Sequence, residues 1–461
     1  MAFPQTSIDL LPFLQNRGGA TWIPESCPLG ETRLGSISTD SRALDPQAVF
    51  VALRGEQFDG HAFLDQVQHQ GGRVALVDDG FYQATPIPEQ RFPHLSLIRV
   101  PDTLWAYQAL GQGWREQFSR PIVGITGSVG KTTTKELIAG MLSQLGTVLK
   151  TQGNYNNEIG VPKTLLQLQP NHDYGVIEMA MRGRGQIDLL ARLAQPTIAV
   201  ITNVGVAHIE LLGSREAIAE AKCELLAAMD HQGVAILNQD QPLLMNTAAR
   251  VWSGKTITFG LQGGDVRGQL RDVQTLVVDD QVFHLPLPGE HNAVNFLAGL
   301  AVARELGIPW SALTHLNLTL PAGRSQRYER SDDVVLLDET YNAGPESMTA
   351  ALKLLAQTPG DRHIAVLGTM KELGDRSLAF HQQVGQVVAD LNLDALFILA
   401  DPPEAEALAQ GAHPVPSHVF ETGSDLVQAL KSALRPGDRL LFKASRAVAL
   451  DHVVQALRQA E

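Results

Sequence analysis

GITGSVGKTTTKE, Gly124 to Glu136, is the stretch on which the reading of this chain turns. The apolar run Ile122–Thr126 reads as a strand, and a helix begins near Lys131, carrying Leu137, Ile138, Met141, Leu142 and Leu145. Small residues in between let backbone N–H groups turn toward an anion at the positive end of the helix dipole. In that setting Lys131 reaches the β- and γ-phosphates of a nucleotide and the Thr132 hydroxyl meets Mg²⁺. The candidate nucleotide-binding residues here are Thr126, Gly127, Ser128, Val129, Gly130, Lys131, Thr132 and Thr133. A plain glycine-rich turn is the competing reading, but the flanking strand and helix are what the motif requires. The pattern points to ATP or GTP. The usual GxxxxGK[ST] loop would need Gly at position 125, where this chain has Ile125, so this is the shorter TGxxGKT form.

Around that loop lie 461 residues, suggesting about three domains at roughly 150 residues each. Net charge is −13, so a broad basic surface for nucleic acid is not expected. Cys27 and Cys223 read as free thiols in a reducing compartment. The N-terminus lacks the basic start and apolar core of a signal peptide. No run approaches the about 20 apolar residues of a membrane span. A soluble, cytoplasmic chain without membrane insertion is expected, and a monomer.

Short apolar runs alternate with helical periodicity, the pattern of α/β layers with largely parallel sheets. In the first section Val49–Leu53, Val74–Val77 and Leu95–Val100 read as strands, and Leu104, Tyr107, Leu110, Trp114 and Phe118 as one helix face. In the second, Gly175–Met179, Thr197–Val204, Val234–Leu237 and Thr256–Phe259 read as strands, and TLVVDDQVFHLPL (275–287) as an antiparallel hairpin on the parallel sheet. The third repeats the α/β pattern, with strands at Val334–Asp338, Ile364–Leu367, Ala395–Leu399 and Leu440–Phe442. The joints fall near residues 114 and 322, giving domains 1–114, 115–322 and 323–461.

TGSVGKTTTKE resembles the phosphate loop of the Mur ligases, the ATP-dependent amide-forming enzymes of peptidoglycan precursor synthesis. TQGNYNNEIGVPKTLL (Thr151–Leu166), GEHNAVNFLAGLAVA (Gly289–Ala303), PAGRSQRYE (Pro321–Glu329), LLDETYNAGPESMTAAL (Leu336–Leu352) and LGTMKELG (Leu367–Gly374) are similar to one branch of that family. That branch adds D-alanyl-D-alanine to UDP-N-acetylmuramoyl-tripeptide. STDSRAL (Ser38–Leu44) and FVALRGEQFDGHAFL (Phe50–Leu64) resemble its nucleotide-sugar domain. The likeness runs the whole chain in the family's order. It implies an N-terminal α/β UDP-sugar domain, a central ATPase domain and a C-terminal Rossmann-like domain that closes on ATP and binds the dipeptide.

The family activates the tripeptide carboxylate as an acyl phosphate, which the dipeptide's amine attacks. Two anions meet in the first step, so cations must neutralise both. Lys131, Glu178, His208 and Lys222 are the catalytic candidates, and Thr132, Glu178 and His208 hold Mg²⁺ by family position. A carboxylate in the apolar run YGVIEMAM (Tyr174–Met181) is costly unless paired or metal-bound; a strand-end salt bridge is the plainer reading of Glu178. His208 reads otherwise as a loop residue, and metal binding needs its imidazole neutral. Lys222 falls on the apolar face of REAIAEAKCELLAAM (Arg215–Met229), where a lysine snorkels, finds an anion or loses its proton. Related ligases carry a carbamylated lysine there.

Asn292 and Asn295, one helical turn apart, correspond to the adenine end of the site, and Arg324 and Asp338 to residues that reach ATP's phosphates and ribose. A helix cap also explains Asn292. Asp40, Ser41, Arg42, Thr151, Asn154, Asn156, Tyr341 and Asn342 are the substrate-binding candidates. Gly344, Thr369 and Ala444 depart from the family patterns DxxYNANPxS, LGDMxELG and KGSR, all in the third domain. Arg182 and Arg184 fit either substrate contact or a solvated loop. The rivals are another ligase with the short loop, such as folylpolyglutamate synthetase, and a nucleotide-gated regulatory protein. GNYNNEIGVP and the first-domain motifs argue against the one, and Glu178, His208 and Lys222 against the other.

Overall fold

The computed structural model describes residues 4–23, 33–42, 44, 45, 47–56, 58–85, 91–316, 318 and 320–459. Cys27 lies outside the described residues. The chain divides into two compact units. One holds Met1–Ile122, Thr147–Met179 and Asp188–Pro196; the other holds Val123–Gly146, Ala180–Ile187 and Thr197–Glu461.

The first unit contains strands β1 (Thr21–Trp22), β2 (Ile37–Ser38), β3 (Val49–Val51), β4 (Val74–Asp78) and β5 (Ser96–Val100), in the order β1-β5-β4-β3-β2. All pair in parallel except β1, which runs against β5 at the edge. Its core is aliphatic with Phe13, Phe50, Phe92 and Tyr107. The helix Thr103–Arg115 lies close against its neighbours: a Cβ on Gly113 would sit 2.3 Å from Phe13 Cζ. That helix stops short of Phe118, which is buried nonetheless.

Strand β6 (Ile122–Thr126) leads into the phosphate loop, and β7 (Val148–Lys150) and β8 (Tyr174–Glu178) form a parallel pair in the first unit. In the second unit follow β9 (Ile198–Ile201), β10 (Val234–Asn238), β11 (Lys255–Gly260), β12 (Val266–Asp272), β13 (Thr275–Val278) and β14 (Gln281–His284). The order there is β14-β13-β12-β11-β10-β9-β6, parallel from β6 to β12 and antiparallel thereafter. β6, β9 and β10 are buried along their whole length, as continuous apolar runs in a doubly covered parallel sheet are. The expected hairpin is β13–β14, turned by Asp279 and Asp280 at φ 46° and 61°, the twist a two-residue loop needs. β12 was not singled out in the sequence, although VRGQLRD alternates buried Val266 and Gly268 with exposed Arg267 and Gln269. The helix after the phosphate loop ends at Leu142, not Leu145, whose side chain is 53% exposed.

The remainder of this unit is a six-stranded sheet of β15 (Gln326–Glu329), β16 (Val335–Asp338), β17 (Arg362–Gly368), β18 (Ala395–Leu399), β19 (Ser417–Val419) and β20 (Asp438–Lys443), in the order β15-β16-β20-β17-β18-β19. Only β15 is antiparallel. The helices Ser377–Asp390 and Pro402–Ala412 meet backbone to backbone through Gly385 and Gly411. A Cβ there would lie 2.2 Å from Leu408 O and 2.1 Å from Gln382 O. Gly385→Val is therefore expected to cost about 1–3 kcal/mol by overpacking. A thermal midpoint several degrees below wild type checks it, and an unchanged one refutes the close packing.

Candidate active site

The protein's own groups hold the phosphate loop in place. Gly130, at φ 81°, caps the helix Lys131–Leu142, a backbone that residues with a Cβ rarely adopt. Gly127 has no room for a side chain, since its Cβ would lie 1.9 Å from Thr202 Oγ1. The segment after β9 grips the loop from the side. Asn203 pairs its amide with both backbone groups of Val129, accepting from N–H at 3.0 Å and donating to C=O at 2.9 Å. Thr202 Oγ1 donates to the same carbonyl at 2.7 Å, and Gly205 N–H donates to Ser128 Oγ at 2.8 Å. Neither Thr202 nor Asn203 was singled out in the sequence; their signal was the run ITNVGVAH directly after a buried strand.

Lys131 Nζ donates to Gly127 O at 2.8 Å and lies along the loop. Thr132 is buried in the first turn, and the buried Thr126 Oγ1 has no hydrogen-bond partner among the described residues. Asn295 braces the loop from the helix Glu290–Glu305. Its Oδ1 accepts from Thr134 Oγ1 at 3.2 Å and sits where a Cβ on Gly130 would fall. Asn292 donates to Pro288 O at 2.9 Å. Both amides thus have protein partners. A cavity of about 720 Å³ opens beside that helix, between Val206, Arg215, Gln241, His291, Glu346 and Lys353.

Lys131 comes close enough to Lys222 and His208 to lower the titration of both, and Lys222 lowers that of His208. Lys222 is 1% exposed in the helix Arg215–Ala227, so the snorkelling alternative is excluded. Burial, with Lys131 nearby, pushes its ammonium far below the ordinary lysine range, toward the neutral amine. His208 stands at φ 64°. Its Nδ1 lies 2.6 Å from Glu372 Oε2, and Arg182 Nη2 is 3.5 Å from the other oxygen of that carboxylate. Burial lowers the imidazole's pKa against the pull of Glu372, and Lys131 and Lys222 lower it further. A neutral ring that donates from Nδ1 presents Nε2 as a lone pair, the form a metal ligand takes. Arg184 instead pairs with Glu220 on the surface.

In the first unit, Glu178 is buried at the end of β8; its Oε1 accepts from Asn156 Nδ2 at 2.8 Å and its N–H donates to Thr151 Oγ1 at 3.0 Å. Asn154 is exposed in the turn before Asn156. Arg42 folds onto Asp40 with two hydrogen bonds of 2.9 and 2.7 Å and stays 82% exposed. Ser41 is buried on Gln66. A denser polar cluster was missed: Arg54 pairs with both Asp59 and Asp78, and His61 bridges the same two residues.

At the start of the six-stranded sheet the Arg324 guanidinium stacks 3.8 Å from the Tyr341 ring centroid. Asp338 accepts from Thr340 at 2.6 Å and is pushed upward by burial. Lys443, buried below its ordinary pKa, donates to Asn342 O at 2.9 Å and faces Glu339. Lys443 and Glu339 adjoin sequence-marked residues but were not chosen. Of the departures, Gly344 begins the helix Pro345–Gln357 with open space at its Cβ. Thr369 exchanges hydrogen bonds with Asp401, which brings a carboxylate to that place from another loop.

The fold and loop define a phosphate-loop α/β enzyme that binds ATP. Residues 33–112 match the model "Mur ligase family, catalytic domain", 125–303 "Mur ligase middle domain" and 323–446 "Mur ligase, glutamate ligase domain". The chain is 56% identical, over 94% of its own length and 95% of the relative's, to UDP-N-acetylmuramoyl-tripeptide--D-alanyl-D-alanine ligase of Synechocystis. It superposes on MurF from Acinetobacter baumannii with a TM-score of 0.87 at 31% identity, covering 99% of both chains. With the MurF ligase of Thermotoga maritima in complex with ADP the TM-score is 0.81 at 31% identity, covering 92% and 97%. The chain belongs to the Mur ligase family, whose members form amide bonds at the expense of ATP. Among the described residues no helix is long and apolar enough to cross a membrane.

Two outcomes follow from this geometry. Gly127→Ala drives its methyl into Thr202 and should weaken ADP binding about tenfold or more, read by fluorescent-nucleotide titration. Lys222→Met should raise the thermal midpoint, because the buried amine must shed a proton on folding. The gain should vanish as pH rises past the unfolded lysine pKa and grow as pH falls below it.

Proposed function

We propose that this chain joins D-alanyl-D-alanine to UDP-N-acetylmuramoyl-tripeptide, giving the pentapeptide with release of ADP and phosphate, in cytoplasmic peptidoglycan precursor synthesis. The observation that carries the reading is the internally braced phosphate loop beside a buried, neutral-leaning Lys222 and a carboxylate-oriented His208. The 56%-identical relative bears that activity in its name. Residues 1–114 hold the UDP-sugar, 115–322 ATP, and 323–461 the dipeptide.

The tripeptide carboxylate attacks the γ-phosphorus of ATP, and the bond to the β-γ bridging oxygen breaks. The dipeptide's amine then adds to the acyl phosphate, the tetrahedral intermediate expels phosphate, and the amine loses its proton. The loop amides and Lys131 hold the phosphates in line and offset their charge as the carboxylate approaches. Arg324 and Asp338 bind the nucleotide from the C-terminal side, with Asn292 and Asn295 on the purine side. Asp40, Ser41 and Arg42 meet the UDP-sugar; Thr151, Asn154 and Asn156 orient the tripeptide; Tyr341 and Asn342 contact the dipeptide. By family position Thr132, Glu178 and His208 would hold magnesium, and the hydroxyl and the carboxylate are the oxygen donors that ion prefers. Bound there, Mg²⁺ would neutralise phosphate charge. The neutral amine of Lys222 is the form that takes up CO₂, so we propose that it is carbamylated.

Phosphate release from ATP should require both the UDP-linked tripeptide and the dipeptide; release with neither would overturn the ligase reading. Equilibration with ¹³C-bicarbonate should give a carbamate resonance that disappears in Lys222→Met. A spectrum without that resonance would refute carbamylation while leaving the ligase reading intact.

A further inference from the structure

The segment Asn203–Glu210 is held from two directions. On one side it carries the phosphate loop, through Asn203 on Val129 and Gly205 on Ser128. On the other it receives two carboxylates from the C-terminal sheet domain. Glu346, in the first turn of the helix Pro345–Gln357, accepts from Val206 N–H at 2.8 Å. Glu372, in the loop after β17, takes His208 Nδ1 at 2.6 Å. The fit is close at both points. A Cβ on Gly205 would lie 2.6 Å from Glu346 Oε1, and one on Gly374 would lie 3.1 Å from Glu210 Cγ. His208 and Glu372, neither a glycine, both adopt left-handed backbone, at φ 64° and 62°. Such conformations persist where surrounding contacts over-determine them. Arg182 anchors the second oxygen of Glu372.

We propose that Glu346 and Glu372 are positioning residues, a two-carboxylate clamp through which the docked C-terminal domain sets the phosphate loop and His208. Neither touches a reacting atom. Glu346 acts through the Val206 amide, and from there through Gly205 and Asn203 to the loop. Glu372 acts through the imidazole, fixing which nitrogen faces the nucleotide. Undocking removes both carboxylates at once, so the loop and His208 lose their support together. This deepens the ligase reading and rests on it for the kinetic arm of its test.

The test uses the full chain. Glu346→Ala should lower kcat at least tenfold with KM for the UDP-linked tripeptide within about twofold, since a positioning group serves the transition state. Glu346→Gln keeps an oxygen acceptor and should restore most of kcat. Gly205→Ala should show the same loss, and the double variant Gly205→Ala/Glu346→Ala should be no worse than either alone. Glu372→Ala and Glu372→Gln should differ in the same sense. Hydrogen exchange with ADP bound should quicken in Glu346→Ala both at residues 203–210 and in the phosphate loop. That arm reads the clamp whichever acceptor the enzyme uses, so its failure is distinguishable from failure of the ligase reading. Alanine variants with wild-type kcat, additive losses in the double variant, or faster exchange confined to 203–210 would each overturn the proposal.

Discussion

A backbone amide that is to meet a phosphate has to be held in one conformation before the ligand arrives, and here that constraint falls on Gly127–Gly130. Four residues without regular structure cannot hold themselves. The protein solves this by lending them the backbone partners that a sheet would supply: the Asn203 amide pairs with Val129 as a neighbouring strand would. Space is the second half of the solution. Thr202 and Asn295 occupy the volume into which side chains at 127 and 130 would project. The parallel core beneath, β6 beside β9 and β10, positions both the loop and its clamp, because all three strands end at the same edge.

Electrostatics follow from the same crowding. An acidic chain of net charge −13 has to gather anionic groups in one place. Two lysines and a histidine close together cannot all stay charged in a dry site. Lys131 lies partly solvated on the loop, while Lys222, sealed in the helix Arg215–Ala227, is driven toward the neutral amine. His208 is pressed the same way by burial and by both lysines, although Glu372 pulls against it. Depth of burial thus separates the three groups, with Lys131 at the loop's surface and Lys222 and His208 pressed toward their neutral forms.

Much of this was legible in the sequence because it rests on local patterns. The phosphate loop is a contiguous motif between a strand and a helix, and the hairpin is a two-residue turn between alternating runs. Lys222 announced itself by standing on an apolar helix face. What the sequence hid depends on contacts distant along the chain. Asn203 matters because β9 lies beside β6. Glu372 matters because a loop 164 residues beyond His208 returns to it. Thr369 looked like the loss of a carboxylate, yet Asp401 stands against it from the next loop. Arg54 escaped notice since its partners Asp59 and Asp78 come together only when β3 and β4 pair. Chemistry placed by sequence order could be read; chemistry assembled across strands could not.

The distribution of strain points the same way. Three glycines, 127, 130 and 205, each face an oxygen of another element at a distance no methyl would tolerate. In order these oxygens belong to Thr202, Asn295 and Glu346, from β9's end, the helix Glu290–Glu305 and the C-terminal domain. Each glycine thus marks where one element leans on the loop or its clamp. A protein that needed only to bind nucleotide would require the first two. The third, with the left-handed His208 and Glu372 beyond it, makes sense where binding must also report that a further domain has docked. In the proposed reaction, phosphoryl transfer to a carboxylate is wasted if water reaches the activated acyl group before the amine does. Tying the shape of the phosphate loop to the docking of the C-terminal domain would, in the proposed reaction, delay the first step until the second can follow.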